Sequence, residues 1–415
     1  MGRAFRSKNY RLFFIGQGTS LIGTWISRVA TSWLVYRLTD SALLLGAVGF
    51  AGQLPTFLLA PFAGVIVDRS DRHRVLVLTQ ACAMVQTSLL AVLALSHAIT
   101  VWHLLALQAV GGVVNAFDTP ARQAFVSEMV ERKEDLPNAI ALNSSLMNGA
   151  RLVGPSIAGV LIALVGEGLC FGIDALSYLA VIASLVAMNV APRVIEPDRP
   201  RFFAALRDGF RYVSGFRPLR ALLLLLAVTS FTAMPYTILM PVFAGTVLGG
   251  GPNTLGLLMG AVGVGAIAAV LWLASRPSVR GLGNVVMAGG YAFALGLLLF
   301  SFSPWLWLSV PVLAVVGAGM MLQMAASNTL LQTLSDEAMR GRVMSFYTMA
   351  FFGMVPFGSL AAGAFADRYG APMTVRLGGV VMIAAMTAFA HKLPELRALV
   401  RPIYVRQGVL GESPG

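Results

Sequence analysis

Three charged side chains stand inside long apolar runs, where chemistry is most constrained. Arg28, Arg151 and Asp174 each interrupt a stretch rich in Leu, Val, Ala and Gly. An ionisable group at that depth is costly and must face a bundle interior or a water-filled path. Arg151 either lines such a path, pairing with an acid or an anionic substrate, or pins helices together. Arg28 and Asp174 are candidates for an outer gate or a proton site, unless Asp174 lies close enough to the headgroups to stay ordinarily ionised. A second cluster is the knot Gly64-Val-Ile-Val-Asp68-Arg69-Ser-Asp71-Arg72-His73-Arg74, set between Ala42–Val67 and Val75–Ser96, neither of which carries a charge. No pattern supports bond-making chemistry. There is no Gly-x4-Gly-Lys-Ser/Thr phosphate loop, no metal-spaced His/Asp set and no Ser-His-Asp arrangement. The expectation is therefore no enzyme, no cofactor and no metal.

The elements that must position these groups follow from composition. The chain has 415 residues, 57% hydrophobic and 12% charged, about half the charged share of an ordinary soluble domain. Gly281 to Ser335 carries no charge over 55 residues, so it must fold back, with a turn at Ser301-Phe-Ser-Pro304. A helix crosses the ~30 Å apolar core of a bilayer in roughly 20 residues. The apolar runs predict twelve transmembrane helices at 11–38, 42–67, 75–96, 101–119, 136–165, 168–190, 221–247, 254–275, 282–302, 304–334, 341–366 and 372–390. The fold class expected is an all-α integral membrane protein of two pseudo-symmetric six-helix bundles.

Topology explains the net charge of +12. With those spans, 25 of the 30 Lys and Arg residues fall on one face, and Arg37, Arg368 and Arg376 on the other. Positive loops stay inside, so both termini are expected in the cytosol of a bacterial-type cell with the spans in its cytoplasmic membrane. The spread of charge over short loops argues against nucleic acid. The domains read as 1–190, a cytoplasmic linker 191–219, a second bundle 220–391 and a tail 392–415. Within the linker, Phe202, Phe203, Leu206, Phe210 and Val213 alternate with Arg201, Arg207 and Arg211, which predicts an amphipathic helix on the inner membrane surface. Gly154, Gly159 and Gly166 recur 204 residues later as Gly358, Gly363 and Gly370, an echo of duplicated halves. Cys82 and Cys170 read as buried apolar side chains, and the four histidines as surface residues near span ends.

The knot resembles the signature loop after span 2 of the major facilitator superfamily, Gly-x3-Asp-Arg-x-Gly-Arg-Arg/Lys, with Asp71 where a glycine usually stands. Gly149-Ala-Arg-Leu-Val-Gly154-Pro155-Ser-Ile-Ala-Gly159 resembles the Gly-Pro motif of its exporters. Trp25, Trp33-Leu-Val-Tyr36, Thr39-Asp-Ser41, Ala116-Phe-Asp118-Thr-Pro120-Ala-Arg122-Gln123 and Arg340-Gly-Arg342-Val-Met-Ser345 resemble the enterobactin-exporter-like and macrolide-efflux-like branch. The resemblance implies a conformational latch at Gly64, Asp68, Arg69, Arg72, Asp118 and Arg342. In it Asp68 faces the start of span 11, and Arg69 or Arg72 bridges to Asp118. It implies a helix-packing motif at Gly154, Pro155 and Gly159, and a substrate or proton pathway through Arg28, Arg151, Asp174 and Gln108. Gln108 stands where such exporters often carry an arginine in span 4.

The function these features imply is a secondary active transporter, a proton-coupled exporter of small, partly apolar compounds such as a drug or siderophore, working by alternating access as a monomer. The partners are the substrate, protons and the lipid bilayer. The alternative is an uncoupled facilitator or lipid transporter on the same scaffold.

Overall fold

The computed structural model describes residues 3–190, 202–276 and 278–406, and all regular structure among them is helical. The first helices are α1 (Lys8–Thr39), α2 (Ala42–Asp68), α3 (Arg72–Leu95), α4 (Val101–Met129) and α5 (Leu136–Val186). There follow α6 (Phe202–Gly215), α7 (Arg217–Val228), α8 (Tyr236–Val242), α9 (Pro252–Ala274) and α10 (Leu282–Ser301). The last are α11 (Leu306–Leu334), α12 (Glu337–Phe351), α13 (Val355–Tyr369) and α14 (Ala371–Arg406). Nine helical stretches among the described residues are long and apolar enough to cross a membrane, with Leu136–Val186 counted once. Their surfaces agree with that role. Leu164, Leu176 and Val186 are 75%, 66% and 67% exposed, while Asp174 and Gln323 are buried. Water would penalise that inversion; lipid favours it.

The chain forms two compact units. One comprises the described residues of Met1–Asp198 and Met240–Gly260, the other those of Arg199–Leu239 and Ala261–Gly415. Met240–Gly260, which the sequence assigns to the second bundle, therefore groups with the first. The reason is backbone contact: a methyl group on Gly159 would lie 2.7 Å from Gly256 Cα and 2.7 Å from Pro252 O. Small residues on both helices let α5 and α9 touch along their main chains.

Several boundaries differ from those predicted. The fourth helix continues ten residues past 119, through Pro120. A proline removes only its own N–H from the ladder, and the last turns of α4 carry ion pairs described below. Predicted spans 5 and 6 meet at a single residue, Gly166, with φ 79° and ψ 171°. The start of the second unit is less regular than one span. Wide turns at Thr229–Ala233 and Phe243–Val247 flank α8, and α12 and α13 are separated at Phe352–Met354. The helix α14 runs through Pro394 and Pro402 to Arg406, so 392–406 is helical where a tail is predicted. Residues 407–415 lie outside those described, as do 191–201, which hold Arg193, Arg199 and Arg201 of the linker.

The glycine echo has matching geometry in each unit. Gly166 and Gly370 both adopt positive φ, 79° and 86°, at the turn that ends a helix, a conformation glycine alone enters without strain. Gly154 packs against Trp25 of α1, and Gly358 packs against the backbone of Phe231 in the wide turn after α7. The fifth predicted span of each half thus seats a glycine on the first.

In the linker, α6 forms where amphipathic spacing places it and is fastened to α12 within the second unit. Tyr212 donates to Asp336 Oδ2 (3.0 Å), and the Asp336 N–H donates back to the phenol (3.1 Å). Gly209 lies under the Phe346 ring, and the rings of Phe210 and Phe346 stand 6.3 Å apart. Burial holds the Tyr212 phenol above its ordinary pKa, with the Asp336 carboxylate adding to the effect and its N–H opposing it.

Candidate functional site

The knot is built on Arg72. Its guanidinium, 9% exposed, pairs with Asp68 Oδ1 at 2.9 Å and Glu128 Oε1 at 2.8 Å, and donates to the Ala124 carbonyl at 3.3 Å. One side chain therefore ties the end of α2, the start of α3 and the end of α4. Charge-assisted contacts of this kind are the stronger hydrogen bonds. Arg69 is exposed at the end of α2, and a side chain at Gly64 would meet no atom within 4 Å.

Asp71 has a local task. Its carboxylate accepts from the backbone N–H groups of His73 (3.0 Å) and Arg74 (3.3 Å), capping α3. An aspartate there satisfies donors that a glycine would leave to water. Asp71→Ala should lower stability by about 1 kcal/mol, read as a small drop in the thermal midpoint of the detergent-solubilised protein with transport retained. His73 is half-buried, not a surface residue, and donates from Nε2 to the Leu185 carbonyl at 2.7 Å.

Asp118 is not bridged by Arg69 or Arg72. It is buried among donors of its own: Gln80 Nε2 at 2.7 Å, Thr79 Oγ1 at 3.1 Å and Arg122 Nη2 at 3.1 Å. Proximity explains the difference. Arg122 is one helical turn from Asp118 on α4, while Arg72 is taken by Asp68 and Glu128. The i, i+4 spacing of Asp118 and Arg122 was available in the sequence; Glu128 and Gln80 carried no such signal. Arg342 approaches Asp208 of α6 at 3.5 Å, fastening the linker helix within the second unit.

A second polar cluster lies within the membrane-spanning part of the first unit. The Asp174 carboxylate is buried on the second leg of α5 with the Ser177 hydroxyl 3.4 Å from Oδ1, while the shorter bond of that hydroxyl, 2.7 Å, goes to the Asp174 carbonyl. A methyl group on Gly23 would stand 2.8 Å from Asp174 Oδ1, so α1 carries a glycine where the carboxylate needs room. Arg28 follows Ser27 and stacks over the Trp25 ring at 5.0 Å. Trp25 packs against Gly154, so the Gly-Pro motif supports the side chain on which Arg28 rests. Pro155 frees the Arg151 carbonyl four residues back. Gln108 Nε2 donates weakly to Thr31 Oγ1 at 3.4 Å, and Thr31 is bonded to the Ser27 carbonyl. Glu167, absent from the candidates, holds Arg37 at 3.0 Å near the Gly166 turn.

Among the described residues no group of three or more His, Cys, Asp or Glu side chains is placed to hold a metal ion. The fold is one that solved membrane transporters share. It superposes on the nucleoside transporter NupG with a TM-score of 0.68 at 14% identity, covering 93% of this chain and 99% of that one. It superposes on a bacterial homologue of the human lysosomal transporter Spinster with a TM-score of 0.69 at 13% identity, over the whole of both chains. The family model for transmembrane secretion effectors matches residues 3–403, and the chain belongs to that family of the major facilitator superfamily. It is 27% identical to the staphyloferrin A transporter of Staphylococcus aureus, over 91% of this chain and 95% of that one. It is 25% identical to macrolide efflux protein A of Streptococcus pyogenes (90% and 94%) and to the multidrug efflux pump Tap of Mycolicibacterium fortuitum (92% and 94%).

Proposed function

We propose that this protein is a proton-coupled exporter of small, partly apolar organic compounds in the bacterial cytoplasmic membrane. It works by alternating access, as a monomer with both termini in the cytosol. The observation that carries the reading is the burial of the Asp174 carboxylate among spans whose outer surfaces are apolar. Relatives that move a siderophore, a macrolide and several drugs support export of that class. Twelve spans are consistent with the structure. The nine apolar stretches become twelve when Leu136–Val186 is divided at Gly166 and the long but more polar α1 and α4 are added.

The clusters have separate tasks in this reading. The Arg72 clamp and the Asp118 nest hold the cytosolic ends of α2, α3 and α4 as one body, so the unit moves rigidly. Asp174 is the proton site: among the described residues no arginine lies within ion-pair distance of this buried carboxylate, so it can exchange a proton without breaking an ion pair. In everted vesicles containing the protein, a macrolide and a ferric siderophore should accumulate on energisation, and an uncoupler should abolish accumulation. Accumulation insensitive to the uncoupler would instead favour the uncoupled facilitator.

A further inference from the structure

We propose that the second unit carries a binding site for the headgroup of an anionic phospholipid, made by Arg276 and Arg280 of the loop before α10 and by Arg397 of α14. The inference goes beyond the export reading and takes from it only that this loop meets the cytosolic leaflet.

Contacts within the unit bring these arginines to one turn. Arg276 Nη2 donates to the Arg280 carbonyl at 3.0 Å, and a methyl group on Gly281 would lie 3.6 Å from the same nitrogen. Arg397 Nη2 donates to Asn284 Oδ1 in the first turn of α10. The Asn284 N–H donates to the Gly281 carbonyl at 2.9 Å, so the anchoring positions of Arg276 and Arg397 belong to one tight turn. Packing fixes the approach of α14, since a methyl group on Gly283 would stand 3.2 Å from the Leu393 side chain. The loop is shaped by Ser278, whose hydroxyl accepts from the Arg280 N–H at 3.1 Å.

No acid of the chain neutralises this turn. Between Asp208 and Asp336 the sequence holds no Asp or Glu. Among the described residues, none of the three arginines has a carboxylate within ion-pair distance. Glu395, two residues before Arg397, pairs with Arg217, Asp208 is held by Arg342, and Asp336 by Tyr212. The Nε of Arg276 is buried without a hydrogen-bond partner among the described residues. The start of α10 has no acid in its first turn and no side-chain cap, so its N–H groups add partial positive charge. The corresponding loop of the first half, the knot, is built differently. There Arg72 meets Asp68 and Glu128, and Asp71 caps α3. One loop carries its own anions, and the other leaves that place to an anion from outside the chain.

Position selects a lipid over a soluble anion. The Arg276 guanidinium lies over the ring of Trp272 at 5.2 Å, and Trp272 is exposed near the end of α9. An exposed tryptophan beside an arginine at the end of an apolar span marks the boundary between hydrocarbon and water. Val264 and Leu271, two turns apart on α9, are also exposed and give acyl chains an apolar surface below the headgroup. Guanidiniums meet phosphate oxygens through paired N–H bonds, and basic sites between helices on the cytosolic side hold anionic headgroups.

The test is native mass spectrometry of the purified full chain in detergent, titrated with dioleoyl phosphatidylglycerol and, separately, with dioleoyl phosphatidylcholine, which has the same acyl chains. The first phosphatidylglycerol should bind about tenfold more tightly than the first phosphatidylcholine, as expected for a few arginines around one anionic headgroup. Arg276→Gln combined with Arg280→Gln, and Arg397→Gln alone, should each remove most of that preference, and Arg276→Lys should keep part of it. Arg3→Gln combined with Arg6→Gln takes charge from exposed positions of the first unit and should leave the preference unchanged. The comparison of the two lipids on the wild-type chain needs no variant, so it stands even if a glutamine variant fails to fold. Equal binding of both lipids, a preference unchanged in the folded Arg276, Arg280 and Arg397 variants, or the same loss in the Arg3 and Arg6 control would overturn the inference. Full displacement of the lipid by millimolar inorganic phosphate would also overturn it, by assigning the site to a soluble anion. Transport is not read in this experiment, so failure of the export reading leaves its outcome unchanged.

Discussion

Asp118→Ala is expected to destabilise the protein by about 3 kcal/mol, because breaking a buried ion pair by removing one partner strands the other. Asp118 is 7% exposed, and Gln80, Thr79 and Arg122 all direct donors at it. Without the carboxylate, Arg122 stays almost enclosed with no counter-charge, and Gln80 loses its shortest hydrogen bond. The thermal midpoint in detergent should fall by roughly 5–10 °C, taking a few degrees per kcal/mol as for large domains. Asp118→Asn should cost less, since its amide oxygen still accepts from Gln80 or Thr79 while the charge that meets Arg122 is gone. A midpoint within 1–2 °C of the wild type in the alanine variant, roughly the scatter of a neutral surface change, would contradict the nest described here.

Gly159→Leu is expected to abolish transport through the contact of α5 with α9. The atoms nearest a side chain at that position are backbone: Gly256 Cα, Pro252 O and Gly256 N, between 2.7 and 3.0 Å from an added methyl group. Flexible side chains can turn aside, whereas main chain in a helix cannot without moving the helix. Overpacking of this kind costs about 1–3 kcal/mol or more. The reciprocal contact, Gly256 against Gly159 Cα at 2.8 Å and Pro155 O at 3.0 Å, predicts the same result for Gly256→Leu. Gly172 is the control on the same element, since a side chain there meets nothing within 4 Å. Gly172→Leu should leave expression and transport near normal. Equal tolerance at 159 and 172 would show that the close crossing is not needed.

Much of this architecture was legible in the residues. Apolar run lengths locate the spans, because a helix that crosses lipid must satisfy its own backbone and present an apolar surface. The 204-residue glycine echo, read in sequence as a sign of duplicated halves, includes Gly166 and Gly370, but their positive φ was not predicted from it. The spacing of apolar and basic residues placed a helix at 202–215, and the family resemblance placed the chain among secretion effectors. Pairings that depend on tertiary approach were not legible. Arg72 has several acids within reach along the chain, and only the fold selects Asp68 and Glu128. Asp174 carries no mark in sequence of the glycine at position 23 that makes room for it. Proline was a poor guide to where helices stop. Pro120, Pro155, Pro311 and Pro394 all lie within helices, because in lipid neighbouring groups re-satisfy the one carbonyl each proline frees.

Proteoliposomes test the central claim most directly, since they contain the purified protein and no other pump. With an imposed pH gradient, acid on the side that receives substrate, a macrolide or ferric siderophore should move against its own concentration gradient and protons should move the opposite way. Collapsing the gradient should reduce movement to simple equilibration. Equilibration at the same rate with and without the gradient, and no proton movement when substrate is added, would contradict a proton-coupled exporter.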